Sequence, residues 1–359
     1  MEWHGFWRTV VGWAVAAGAV LYAAILLVDP YDTVWFSPDL ARAPVSTNQR
    51  FSFPALARSQ RFDSAVVGTS TTRLLRPQAL DAALGGAFVN LSMNSGTAYE
   101  QSRILDVFAG HHPAARAVVI GIDVVWCAIE DRFARFTYRP FPPWMYDTDP
   151  ANDLAHLFNL PALEEAGRQL AYLTGLRPLK YGLDGYTDFL PPAHEYDLER
   201  AQGHIYGAPG PRLKPAVEPP AAPTAAERAG WAYASHDLLA EMLGALPDPT
   251  LKVLLIAPYH LFSQPAEGST QAAQWAECKR RLGALAGGLE NTHVLDFMIE
   301  SEITGRDENY WDTLHYSVEV ADRLPGLIAF AVRERRGIPG LFEYLVPDGE
   351  DASLPPAIR

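Results

Sequence analysis

Ala65-Val66-Val67-Gly68-Thr69-Ser70 is a short apolar run that stops at a Gly-Thr-Ser turn, and a helix-like segment, Arg73 to Leu84, follows it. A strand covered on both faces reads as a continuous apolar run, so this stretch predicts a buried strand. The glycine lets the chain turn sharply at the strand end. Ser70 is then presented at the carboxyl edge of a sheet, the edge at which open α/β sheets bind ligands. A serine in that place is a candidate nucleophile once a base is found for it.

Outward from this run, strands and helices alternate. Strands are expected at Ala65–Gly68, Ala87–Ser92, Ala117–Ile122, Lys252–Ala257 and His293–Phe297. Helices are expected at Pro77–Leu84, Thr97–Phe108, Ala225–Leu246, Gln271–Leu285 and Val318–Arg335. Such alternation implies parallel pairing through right-handed crossovers. The fold class is therefore α/β, a flavodoxin-like five-stranded parallel sheet. In that order Ser70, the Asn94-Ser95-Gly96 loop and Asp123 line one crevice at the switch point between the first and third strands.

The base lies downstream, in Tyr310-Trp311-Asp312-Thr313-Leu314-His315-Tyr316-Ser317. A serine hydroxyl needs an imidazole to take its proton, and the imidazole needs a carboxylate to fix its tautomer. Asp312 and His315, three residues apart, can meet on one turn of chain. The order Gly-x-Ser early and Asp-x-x-His late resembles the SGNH (GDSL-like) hydrolases and acyltransferases, across 62–108, 117–123 and 251–335. The resemblance implies Ser70 as nucleophile, His315 as base and Asp312 as its orienting acid. It also implies oxyanion donors on the backbone of Ser70 and Gly96. The family's third block, Gly-x-Asn-Asp, corresponds here to Gly121-Ile122-Asp123-Val124. An ionised carboxylate only accepts hydrogen bonds, so Asn94 is the alternative donor, and Asp123 is left to bind something else, such as a substrate hydroxyl. Arg73 either positions an anionic group or pairs with a surface acid.

The chain has 359 residues, 48% of them apolar, and a formal net charge of −13. This composition is that of a folded protein, and the acidic balance disfavours nucleic acid as a partner. Thr9 to Val28 is long and apolar enough to cross a bilayer as a helix. Arg8 precedes it and Asp29 and Asp32 follow, which points the amino terminus to the cytoplasm and the remainder outside. The expected layout is an anchor (1–30), a connector (31–61) that lifts the domain off the membrane, and a catalytic domain (62–126 and 224–340). A segment rich in aromatics and prolines, 127–223, is inserted as a lid, with one helix over Leu160–Leu173, and a tail covers 341–359. Phe133, Phe136, Tyr138, Phe141, Trp144 and Tyr146 of the insertion suit sugar faces, acyl chains or a satellite core. Cys127 and Cys278 could pair in an oxidising compartment, but nothing in the sequence brings them together, so no disulfide is expected. No Walker-type loop or Gly-x-Gly-x-x-Gly run is present, and no cofactor or metal is expected.

With the anchor, the resemblance to SGNH enzymes implies a membrane-anchored enzyme that adds or removes acyl groups, acetyl in the first instance, on a cell-envelope or exported polysaccharide. A membrane acyl-donor protein would be a further partner. A carboxylesterase for small esters and a glycan-binding module without catalysis are the alternatives.

Overall fold

A computed structural model of the chain describes residues 3–129 and 134–346. Its first element, α1 (Trp3–Val28), is 26 residues long and apolar enough to cross a membrane. At about 1.5 Å per residue it exceeds the ~30 Å of a hydrocarbon core. Trp3, Trp7, Val11, Trp13 and Val20 stand exposed along it, whereas Ile25 and Val28 at its end are buried in the domain.

The stretch expected to be a connector is packed into the body. Asp29 turns the chain by accepting the amides of Thr33 and Val34, Tyr31 and Val34 are buried, and Arg42 Nε donates back to the Val28 carbonyl. Helix α2 (Gln49–Arg58) then buries Phe53, Leu56 and Ala57. Its Pro54 made this stretch look irregular, since proline removes an intrahelical donor. The carbonyl left open is that of Arg50, and it accepts the Tyr146 hydroxyl instead, at 2.8 Å.

The remaining elements follow in order: β1 (Ser64–Val67), α3 (Pro77–Leu84), β2 (Phe88–Asn90), α4 (Ala98–His111), β3 (Ala117–Ile122) and the short α5 (Val124–Cys127). The inserted segment holds α6 (Pro150–Leu157), α7 (Leu160–Leu173) and α8 (Leu198–Tyr206). Where one helix was expected over 225–246 there are two, α9 (Ala225–Ala229) and α10 (Ser235–Gly244), parted at Gly230. Then come β4 (Leu251–Ile256), α11 (Thr270–Gly287), β5 (Thr292–Asp296), α12 (Val318–Glu334) and β6 (Glu343–Tyr344).

The described strands form one sheet in the order β2-β1-β3-β4-β5-β6, parallel except for β6, which runs antiparallel to β5. Six strands replace the expected five. The sixth corrects the assignment of 341–346 to a tail; 347–359 lie outside the described residues, as does Phe133. β1, β3 and β5 are buried at every position, as expected for strands covered on both faces. Helix α3 packs against α12, and α4 packs against α2 and α10. The outer edge at β2 is occupied by the insertion, whose Asp184 carbonyl accepts the Asn90 amide at 2.8 Å. Gly185 makes this approach possible: its φ is +80°, and a Cβ there would stand 2.1 Å from the Asn90 oxygen.

Cys127 and Cys278 form a disulfide, with Cα atoms 5.5 Å apart, against the expectation of free thiols. The turn after β3 carries Cys127 onto α11, a juxtaposition made by tertiary packing across 151 residues that no local pattern reveals.

Candidate active site

Because β1 to β5 are parallel, the loops after them emerge at one edge. Ser70 lies three residues beyond β1, and Thr72–Leu74 form a 3-10 turn before α3, shorter than the continuous helix expected from Arg73. Gly68 is required here for close approach, since a Cβ would meet Thr72 Oγ1 at 2.3 Å and Gly121 Cα at 3.3 Å. β1 and β3 can thus converge beneath the serine.

The 307–317 loop, after β5, is clamped from several sides. The Tyr310 hydroxyl donates to the Pro258 carbonyl, the His260 amide to the Thr313 carbonyl, and the Tyr316 hydroxyl to the Thr71 carbonyl next to Ser70. Asp312 Oδ1 accepts the amides of Leu314 and His315, each at 2.8 Å, and its Oδ2 lies 2.7 Å from His315 Nδ1. A carboxylate accepts only, so Nδ1 carries the ring proton and Nε2 is left as the acceptor. His315 Nε2 lies 2.8 Å from Ser70 Oγ and takes its hydroxyl proton as a hydrogen bond. Burial raises the Asp312 pKa, but the hydrogen bond and charge of His315 and the two amides outweigh this and hold it below the usual carboxylate range. Ser70, Asp312 and His315 therefore meet in one hydrogen-bonded chain.

The loop residues expected around the serine behave differently. The Gly96 amide donates to the Met93 carbonyl at 3.0 Å, closing a turn with Ser95 at φ +52°. It is engaged within its own turn, which corrects its assignment as an oxyanion donor. Asp123 is also withdrawn from substrate: it is 4% exposed, caps α5 by accepting the Val125 amide, and accepts the Thr69 hydroxyl at 2.5 Å. Burial pushes its pKa up to about 6, against the opposing hydrogen bonds from Thr69 and Val125. Asn94 is half-buried and held twice. Its side-chain Oδ1 accepts Arg73 Nη1, and its carbonyl accepts Nη1 and Nη2 of Arg50. A guanidinium only donates, so the amide orientation is fixed and Nδ2 points away as a donor. Among the described residues neither Asn94 Nδ2 nor the Ser70 amide has an acceptor.

Three contributors were not legible beforehand. Arg50, from the supposed connector, forms a fully buried pair with Glu100, whose carboxylate also closes the capping box of α4 with Thr97. This pair props the Asn94 loop. Phe189 and Tyr181 come from the insertion. Phe189 packs edge-on against the His315 ring, centroids 5.3 Å apart, and the Arg73 guanidinium lies 4.7 Å above it and 5.8 Å from Tyr181. Arg73 itself is 4% exposed, so it is not paired with a surface acid. Nothing local in the sequence assigns 181–189 to the serine's neighbourhood.

No cluster of three or more His, Cys, Asp or Glu side chains that could hold a metal ion occurs among the described residues. Comparison with protein-family models, with curated proteins and with solved structures finds no match.

Proposed function

We propose that this chain is an SGNH-type serine acyl-transfer enzyme, built as a flavodoxin-like three-layer α/β sandwich and anchored by α1 with its domain outside the cytoplasm. One observation carries the reading: the unbroken hydrogen-bond chain from Ser70 through His315 to Asp312 at the carboxyl edge of the sheet. In this mechanism His315 Nε2 takes the Ser70 proton as Oγ attacks the ester carbonyl, and the Ser70 amide and Asn94 Nδ2 hold the developing oxyanion. His315 returns the proton to the leaving alcohol. Water or a sugar hydroxyl then receives the acyl group by the reverse steps. Asp312 keeps the imidazole in the required tautomer and steadies its charged form.

The insertion supports a lid, since Phe189 covers one side of the base. Exclusion of water there would favour a sugar hydroxyl over hydrolysis. The exposed rings of Phe136 and Tyr138 and the apolar helix α1 support a polysaccharide at the cell envelope as acceptor, and the SGNH resemblance implies acetyl as the group moved. The test is incubation of the full-length chain in detergent with a chromogenic acetyl ester, with and without glycans, beside Ser70→Ala. Turnover that vanishes in Ser70→Ala, with acetyl appearing on glycan, is the expected result. Equal turnover by the two proteins refutes the reading. Glycan binding without turnover in either assigns the chain to the binding modules instead.

A further inference from the structure

Arg73 is a buried cation without a buried anion. Its Nη1 is taken by the neutral Asn94 amide, its Nε has no partner, and its planar faces lie on Phe189 and Tyr181. Taking a guanidinium out of water is costly unless a charge of opposite sign accompanies it. The acids of this corner are already committed, Glu100 in its double contact with Arg50 and Asp312 with His315. A second arginine, Arg139, stands in the same corner, since the Pro140 carbonyl after it accepts Asn48 Nδ2 and the Tyr181 hydroxyl donates to the neighbouring Thr47 carbonyl. Burial dominates the pKa shifts of Arg73 and Tyr181, and the charge of Arg139 acts to lower both; its buried Nε is also without a partner. Lys180 Nζ also stands over the Tyr181 ring, 5.7 Å from its centroid. Among the described residues none of these three cations forms an ion pair with a carboxylate, in a chain that carries 42 acidic residues to 29 basic ones. A group of cations without carboxylate partners is thus gathered around Tyr181 and Phe189, the latter against the His315 ring, in a chain of net negative charge.

We infer that Arg73 and Arg139 form an anion subsite, so that the substrate carries a carboxylate or phosphate beside the hydroxyl or ester presented to Ser70. Guanidinium forks match both groups, and Tyr138, an exposed ring 5.1 Å from the Arg139 guanidinium, suits the face of an attached sugar. An acidic glycan, such as a uronate or a sugar phosphate, combines the two features. The inference rests on the acyl-transfer reading for the meaning of the site, but its test does not.

Binding is measured by calorimetry on the full-length Ser70→Ala chain in detergent, which removes turnover from the result. The probes are trigalacturonate, glycerol 3-phosphate and neutral maltotriose. At least one anionic probe is expected to bind tenfold or more tightly than maltotriose, and to weaken as salt rises. Arg139→Gln, at a half-buried position, should cost at least tenfold for that anion, with much of it restored in Arg139→Lys. Arg73→Gln should cost as much or more. The preferred anion tells carboxylate from phosphate. Equal binding of all three probes, or anion binding indifferent to both arginines, overturns the inference. Loss of esterase activity in the parallel assay would leave it standing.

Discussion

Phe189 meets the imidazole of His315 edge-on, from a segment that shares no strand or helix with the rest of the site. The same ring carries the Arg73 guanidinium. One side chain of the insertion thus touches both the proposed base and the proposed anion subsite. Phe189→Ala should leave the sheet intact but free the imidazole to swing and admit water. A fall in kcat of roughly 10-fold to 100-fold is expected, the scale of a misplacement of about 1 Å. The ratio of glycan transfer to hydrolysis should fall with it, read from product analysis.

Asp312→Asn should be far more damaging than its size suggests. An amide at this position can donate to Nδ1, forcing the ring proton onto Nε2 and leaving no acceptor for the Ser70 hydroxyl. A loss of roughly 10³-fold to 10⁴-fold in kcat is expected from the wrong tautomer, with folding retained by circular dichroism. Activity within tenfold of wild type would show that Asp312 does not orient the base.

Asp123 gives a pH signature of the opposite kind. Its folded pKa of about 6 lies above the unfolded value near 3.8, so the native state binds the extra proton between those limits. Stability from this group is therefore full below pH 3.8 and is lost as pH rises toward 6. Asp123→Asn keeps the cap on α5 and a partner for Thr69 without the buried charge. The variant should be more stable than wild type at pH 7 by about 2–3 kcal/mol, at ~1.4 kcal/mol for each tenfold change in proton affinity between the folded and unfolded chain. The difference should shrink to nothing near pH 4 in denaturant titrations.

The Cys127–Cys278 bond closes a loop of 151 residues that contains α6 to α10 and β4. A cross-link of this span restrains the unfolded chain by about 4–5 kcal/mol in the loop-entropy account. Replacing both cysteines by alanine should lower the midpoint of thermal unfolding by several degrees. An unchanged midpoint would show that α5 and α11 are held together equally well by packing.

The sheet was legible because β3 and most of β1 are continuous apolar runs, β4 and β5 carry apolar centres at Val253–Ile256 and Val294–Leu295, and helical patterns lie between them. Asp312 and His315 were legible because their relation is local, three residues on one turn, and Ser70 because it follows a strand. What escaped has a common cause. Arg50, Phe189, Tyr181 and the disulfide partners act across long stretches of chain, through contacts that no periodicity encodes. Gly96 failed for a different reason. A sequence names the residue that could donate, but only the turn shows that its amide is already engaged with Met93. Pro54 misled in the same way, since Tyr146 replaces the bond that a proline removes.

The end of α1 is fused to the body it carries. Tyr22 donates its hydroxyl to the Leu154 carbonyl and rests its ring on Phe158, Ile25 and Val28 are buried, and Arg42 closes over the last turn. No slack leash joins anchor to domain. If α1 spans the bilayer, Ser70 works at one altitude and one tilt above the lipid, like a tool bolted to a bench. On the reading proposed above, a polymer acceptor must then be brought to that height, and lengthening the chain at residue 30 would not widen the reach without first tearing the seat apart.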